Sequence, residues 1–159
     1  MKVKTLALAS VFIASIVLLT MWPTFPIPVV GGYFNMGDVL VMSMGYSLGL
    51  PLALLAGVGA ALADILLGWG QYAIFTLIIK GLEAAIIAYF VKKNSVPFYA
   101  YILAGTWMAA GYGLTDAFLS ANIAMFIPSF TANIAQGLIC AILAFSILPL
   151  FKRLTKNYF

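Results

Sequence analysis

The chain has 159 residues; 65% are hydrophobic, 8% are charged and the mean hydropathy is +1.13. A soluble core cannot use that much apolar surface, whereas a bilayer can, so the composition describes one integral membrane domain over 1–159 with no appended soluble enzyme. There is no histidine and a single cysteine, Cys140, which excludes His-based catalysis, His metal sites and an internal disulfide. The net charge of +4 is not a nucleic-acid signal, because the basic residues flank apolar runs; with no phosphate-loop motif either, no cofactor, metal or nucleic-acid partner is expected.

In chain order, Met1-Lys2-Val3-Lys4 precedes a first helix over 5–21, long enough to span and followed by no small-residue cleavage site, so it is expected to be retained. Ser10 and Ala14 form a small-xxx-small pair that either packs inside the subunit or docks a partner. Residues 22–35 carry Pro23, Pro26, Pro28 and Gly31-Gly32, which break helix. The segment is nonetheless apolar, as expected of an outer lid loop packed over something. A second helix spans 36–48. Asn35 either caps it or contacts a ligand, and Asp38 suits its positive end.

A third helix, 51–67, is rich in Gly and Ala and is expected to be central; Asp64 near its end is the expected partner of Lys80. The fourth, 72–91, carries Lys80 and Glu83 three residues apart on one face. Each costs about 2.5–3.5 kcal/mol in lipid, so that face must look into protein or a wet cavity. The fifth, 97–119, holds Trp107 at midspan, as core filler or as an aromatic platform, with Tyr112 and Asp116 four apart further on. A loop over 120–129 leads to a sixth helix, 130–151, with Asn133, Gln136 and Cys140 in a polar stripe.

The fold class expected is therefore all-α, with six transmembrane helices. Six crossings put both termini on one side, together with Lys2, Lys4, Lys92, Lys93, Lys152, Arg153 and Lys156, while the loops on the other side carry no Lys or Arg; the termini are expected to be cytoplasmic. The polar and aromatic groups then converge on an outward-facing pocket in the outer half. Tyr33, Asn35, Tyr72, Lys80, Glu83, Trp107, Tyr112, Asp116, Asn133 and Gln136 are the candidate ligand contacts, with Asp38 and Asp64 as structural polar residues. Aromatic faces edged by amides and charges suit a small heteroaromatic ligand.

Gly32-Tyr33-Phe34-Asn35-Met36-Gly37-Asp38, Gly57-x-Gly-Ala-Ala-Leu-Ala-Asp64 and Ile79-Lys80-Gly81-Leu82-Glu83 resemble the substrate-binding S components of energy-coupling factor (ECF) vitamin importers, in the group with hydroxymethylpyrimidine, pyridoxine and riboflavin S components. The resemblance implies capture of a small vitamin at the prokaryotic plasma membrane. It also implies docking on a membrane coupling (T) subunit driven by two ABC-type ATPases, with the subunit toppling to deliver its ligand. It places a docking motif at Ser10-Val-Phe-Ile-Ala14, where Ser10 departs from the family's alanine. Hydroxymethylpyrimidine or a pyridoxine-type vitamer is the ligand expected, with riboflavin the alternative. A stand-alone carrier, or a channel-forming or scaffold protein, is the reading from another class; a channel would spread polar residues across the full membrane depth.

Overall fold

The computed structural model describes residues 3–27, 32–92 and 95–155. The tip of the expected lid, with Pro28 and Gly31, and the topology residues Lys2, Lys93 and Lys156 lie outside these residues. The described residues are mostly helical, with one antiparallel strand pair. Helix α1 (Val3–Met21) leads into strands β1 (Thr24–Ile27) and β2 (Gly32–Asn35). Then follow α2 (Gly37–Leu48), α3 (Leu50–Ala53), α4 (Ala56–Leu66), α5 (Ala73–Phe90), α6 (Phe98–Leu119), a 3-10 turn (Ile123–Met125) and α7 (Phe126–Thr155).

Among the described residues, three helical stretches are long and apolar enough to cross a membrane: Val3–Met21, Ala73–Phe90 and Ile123–Arg153; Leu50–Leu66 is a shorter apolar stretch. The outer surface is correspondingly apolar. Leu18 is 69% exposed and Phe118 70%, among many exposed large hydrophobic side chains. A face of that kind needs lipid or protein against it.

The interior follows from small residues. A Cβ at Gly105 of α6 would meet the Gly137 backbone of α7 at 2.9 Å, so only glycine permits this crossing. Gly57 of α4 stands against the Leu77 carbonyl of α5, and Gly45 of α2 against the Ala84 carbonyl of α5.

Four features depart from the sequence expectation. The central helix is α2, not the Gly/Ala-rich third helix: every residue of α2 except Leu40 is buried. Its partners are α1, α5 and α7 as well as the segment after it. The third helix is broken into α3 and α4 by a turn at Leu54 and Leu55. Within the 22–35 segment, Thr24–Ile27 and Gly32–Asn35 are antiparallel strands, pairing Thr24 with Asn35 and Pro26 with Tyr33; a two-stranded ribbon has only edges, where proline is tolerated. Finally, α7 starts at Phe126 rather than 130, because Pro128 falls in its first turn, where the missing N–H is no loss, and it continues through Pro149.

Candidate functional site

A cavity of about 560 Å³, mouth included, opens where five helices and the hairpin meet. Its wall is built from Thr20 of α1, Gly32, Tyr33 and Asn35 of β2, Ala60 and Asp64 of α4, and Trp69 and Tyr72 of the α4–α5 connection. Thr76 and Lys80 of α5, Tyr112 and Asp116 of α6, and Asn133 and Gln136 of α7 complete it. The spacing places each where it is needed: Tyr72, Thr76 and Lys80 recur every four residues on α5, as do Tyr112 and Asp116 on α6, so each set shares a helix face.

The inner end is a closed polar network. Lys80 Nζ is hydrogen-bonded and ion-paired to Asp38 Oδ1, and lies 3.5 Å from Glu83 Oε2. Gln136 Nε2 donates to Asp38 Oδ2 at 2.8 Å. The backbone N–H of Asn35 donates to Gln136 Oε1 at 3.0 Å, tying the base of the hairpin to α7. Asn35 Oδ1 in turn accepts from Gly37 N at 2.8 Å, and Cys140 Sγ donates to the Asn35 carbonyl at 3.8 Å. The Lys80 ammonium also sits over the Tyr112 ring, 5.3 Å from its centroid. Asp38, Lys80, Glu83 and Gln136 are all buried, so each depends on the others for its charge or hydrogen bond.

The outer wall is made of hydroxyl–carboxylate pairs. Tyr33 OH donates to Asp64 Oδ1 and Tyr72 OH to Asp116 Oδ1, both at 2.5 Å. Ser129 Oγ donates to Asp116 Oδ2. Burial, with the Asp64 charge beside it, holds the Tyr33 phenol above its ordinary range, so it stays a neutral donor. Asp64 Oδ2 is buried without a hydrogen-bond partner. Thr76 and Tyr112 share a hydrogen bond of 3.0 Å, and Asn133 Nδ2 donates to the Ser129 carbonyl at 2.9 Å. The Trp69 ring lies 6.1 Å from that of Tyr33 and 5.9 Å from that of Tyr72, so three aromatic rings line the mouth.

Of the ten expected ligand contacts, the structure brings Tyr33, Asn35, Tyr72, Lys80, Tyr112, Asp116, Asn133 and Gln136 to one cavity. It does not bring Glu83 or Trp107 there. Glu83 lies one turn deeper than Lys80, is fully buried, and forms no part of the wall. Trp107 is 37% exposed and donates Nε1 to the Ile79 carbonyl at 3.0 Å, so it ties α6 to α5 rather than serving as a platform in the cavity.

Two assignments of polar partners also change. Lys80 pairs with Asp38, not Asp64, because α2 rather than α4 lies against the inner end of the cavity. Asp64, expected to be structural, is on the wall. Asn35 does cap locally, but from outside the helix, and it also lines the cavity. Ser10 and Ala14 are both exposed on α1, whose packed face is Thr5, Ala9, Phe12, Ile16 and Thr20, so the internal-packing reading of the pair does not hold. Trp69, Thr76, Thr20 and Ser129 were missed. Thr76 was findable, midway between Tyr72 and Lys80 on one face; Trp69 was hidden in a glycine-rich turn.

A helical membrane protein that wraps a polar, aromatic-mouthed cavity in apolar outer faces is of the small-molecule-binding class. The chain belongs to the family of ECF-type riboflavin transporter S components, matching it over residues 1–156. A protein of Pyrococcus woesei described as an uncharacterized protein in gap 3'region is 43% identical over 89 residues, covering 55% of this chain. The match takes in 57% of that protein, so the chain spans little more than half the length of this relative.

Proposed function

We propose that this subunit captures riboflavin from outside a prokaryotic cell and passes it inward with a membrane coupling (T) subunit and two ABC-type ATPases. In this reading the chain crosses the plasma membrane six times, with both termini in the cytoplasm and the cavity facing out. The number of polar groups on the cavity wall carries the choice of ligand. Two carboxylates, three carboxamides, an ammonium and several hydroxyls surround a mouth of three aromatic rings. A pyridoxine-type or hydroxymethylpyrimidine ring, favoured on sequence grounds, would leave most of them unused. The tricyclic ring of riboflavin and its polyhydroxylated ribityl chain use both kinds of surface, and the unpartnered Asp64 Oδ2 offers an acceptor to a ligand hydroxyl or ring N–H.

Docking to the coupling subunit is supported by α1, where the exposed pair Ser10 and Ala14 leaves a small-residue surface on which another helix can lie closely. The test of the ligand is titration of the detergent-purified chain with riboflavin, followed by quenching of flavin fluorescence. Trp69→Ala is expected to weaken binding by about 1–3 kcal/mol, the scale of a ring stacked on an aromatic side chain. Trp107→Ala, outside the cavity, should leave affinity unchanged. A loss confined to Trp107→Ala, or no riboflavin binding by folded protein, would sink this reading.

A further inference from the structure

Helix α4 ends in a way that ties its one acid to the aromatic mouth. Gly68 takes a φ of +85°, a conformation that favours glycine, and the chain closes a Schellman motif there. Gly68 N donates to the Ile65 carbonyl at 3.2 Å, and Trp69 N donates to the Asp64 carbonyl at 2.7 Å. That closure brings Trp69 back beside Asp64. The Asp64 carboxylate in turn holds the Tyr33 hydroxyl, and the Tyr33 ring lies 6.1 Å from that of Trp69. Asp64 therefore supports two of the three aromatic residues of the mouth, one through its main chain and one through its side chain. It stands at the level where a flat ligand ring would stack.

Its second carboxylate oxygen is uncommitted. Asp64 is 5% exposed and lies on the cavity wall, and its Oδ2 has no hydrogen-bond partner. The Thr76 hydroxyl beside it is engaged with Tyr112 at 3.0 Å. Lys80 is paired with Asp38 and Glu83, so among the described residues no cation forms an ion pair with Asp64. A carboxylate oxygen placed this way accepts hydrogen bonds and repels the lone pairs of a carbonyl or a bare ring nitrogen. A ring stacked on the neighbouring aromatic faces turns its edge towards this oxygen, and the groups on that edge lie in the ring plane.

We propose that Asp64 is the specificity-determining residue of the cavity: it reads an N–H donor on the edge of the ligand ring. The site then takes heteroaromatic rings that carry an imide, lactam or amino N–H and rejects those in which that nitrogen is alkylated. The assignment rests on the flavin reading, in which the donor is the imide N–H at N3, the one ring N–H of the oxidised flavin. A methyl group at N3 removes the donor and leaves Asp64 Oδ2 buried against carbon, with its hydrogen bond unmade. A site built to bind an N–H discriminates against an analogue lacking it more strongly than a purely apolar pocket can.

The test is equilibrium binding of riboflavin and 3-methylriboflavin to the purified chain, followed by flavin fluorescence, in the wild type, Asp64→Ala and Asp64→Asn. The wild type should bind the methylated flavin about 10- to 100-fold more weakly, the range of a hydrogen bond to a charged group. Asp64→Ala removes the acceptor and should bring the two flavins within about 3-fold of one another, chiefly by weakening riboflavin. Asp64→Asn keeps the volume and an acceptor for Tyr33; it should also narrow the ratio, and it decides the matter if Asp64→Ala does not fold. Equal affinity of the wild type for the two flavins would overturn the assignment and leave the flavin reading intact, as would the same wide ratio in the Asp64 variants. Absence of riboflavin binding by folded wild-type protein would overturn the flavin reading and this assignment with it.

Discussion

Lys80→Met is expected to destabilise the protein by about 3–5 kcal/mol, the cost of breaking a buried ion pair by removing one partner. The damage follows from the company Lys80 keeps. Without it, Asp38 and Glu83 are left buried near one another with no cation, and neither can reach water. Glu83 has no hydrogen-bond donor on either oxygen, so the ammonium is its sole electrostatic support among the described residues. The disturbance should spread along the network to the hairpin, since Asp38 holds Gln136 and Gln136 holds the Asn35 backbone. Adding Glu83→Gln to Lys80→Met removes one of the stranded charges and should recover part of the loss. The measurement is thermal unfolding in detergent with size-exclusion chromatography. Wild-type stability of Lys80→Met would show that the pair contributes little, and an added loss from Glu83→Gln would show that Glu83 is supported by something else.

Gly45→Val should lower stability by about 1–3 kcal/mol through overpacking. Gly45 faces α5 so closely that an added Cβ would fall on the Ala84 carbonyl, and backbone cannot give way as a flexible side chain can. The helices must separate instead. They are α2 and α5, which carry Asp38 and Lys80, so the separation also stretches the ion pair and should weaken ligand binding from a distance. Gly70→Ala is the matched control: nothing lies within 4 Å of a Cβ there, and its effect should stay within about 0.5 kcal/mol. Equal melting temperatures for the two variants would contradict close contact between α2 and α5.

Much of the site was legible because charge is so scarce in this chain. With four acids and one intramembrane lysine, each had to be satisfied inside the protein, and helical spacing alone put Tyr72 on a face with Lys80, and Tyr112 on one with Asp116. What spacing does not encode is which helix lies across from which. Asp38 and Asp64 both sit near the end of a helix, and only the packing of α2 against α5 decides that Lys80 takes Asp38.

Trp107 was misplaced for a related reason. Around Trp107 helix α6 is apolar on nearly every side, because the bilayer and the protein interior both accept such residues, so no polar face there tells the cavity side from the lipid side. The hairpin and the start of α7 were obscured by proline, which ends helices in their interior but is tolerated in an edge strand at Pro26 and in a first turn at Pro128.

That this cavity is the ligand site is tested most directly by closing it. Gly32 lines the cavity and has open space where a Cβ would project, so a side chain can start there without a clash and Gly32→Trp adds an indole at the mouth. Riboflavin titrations of the wild type and Gly32→Trp, each checked for an unchanged melting temperature, should show loss of binding by at least about 100-fold in the blocked variant, as filling a preformed pocket demands. Wild-type affinity in a folded Gly32→Trp protein would mean that the ligand binds elsewhere.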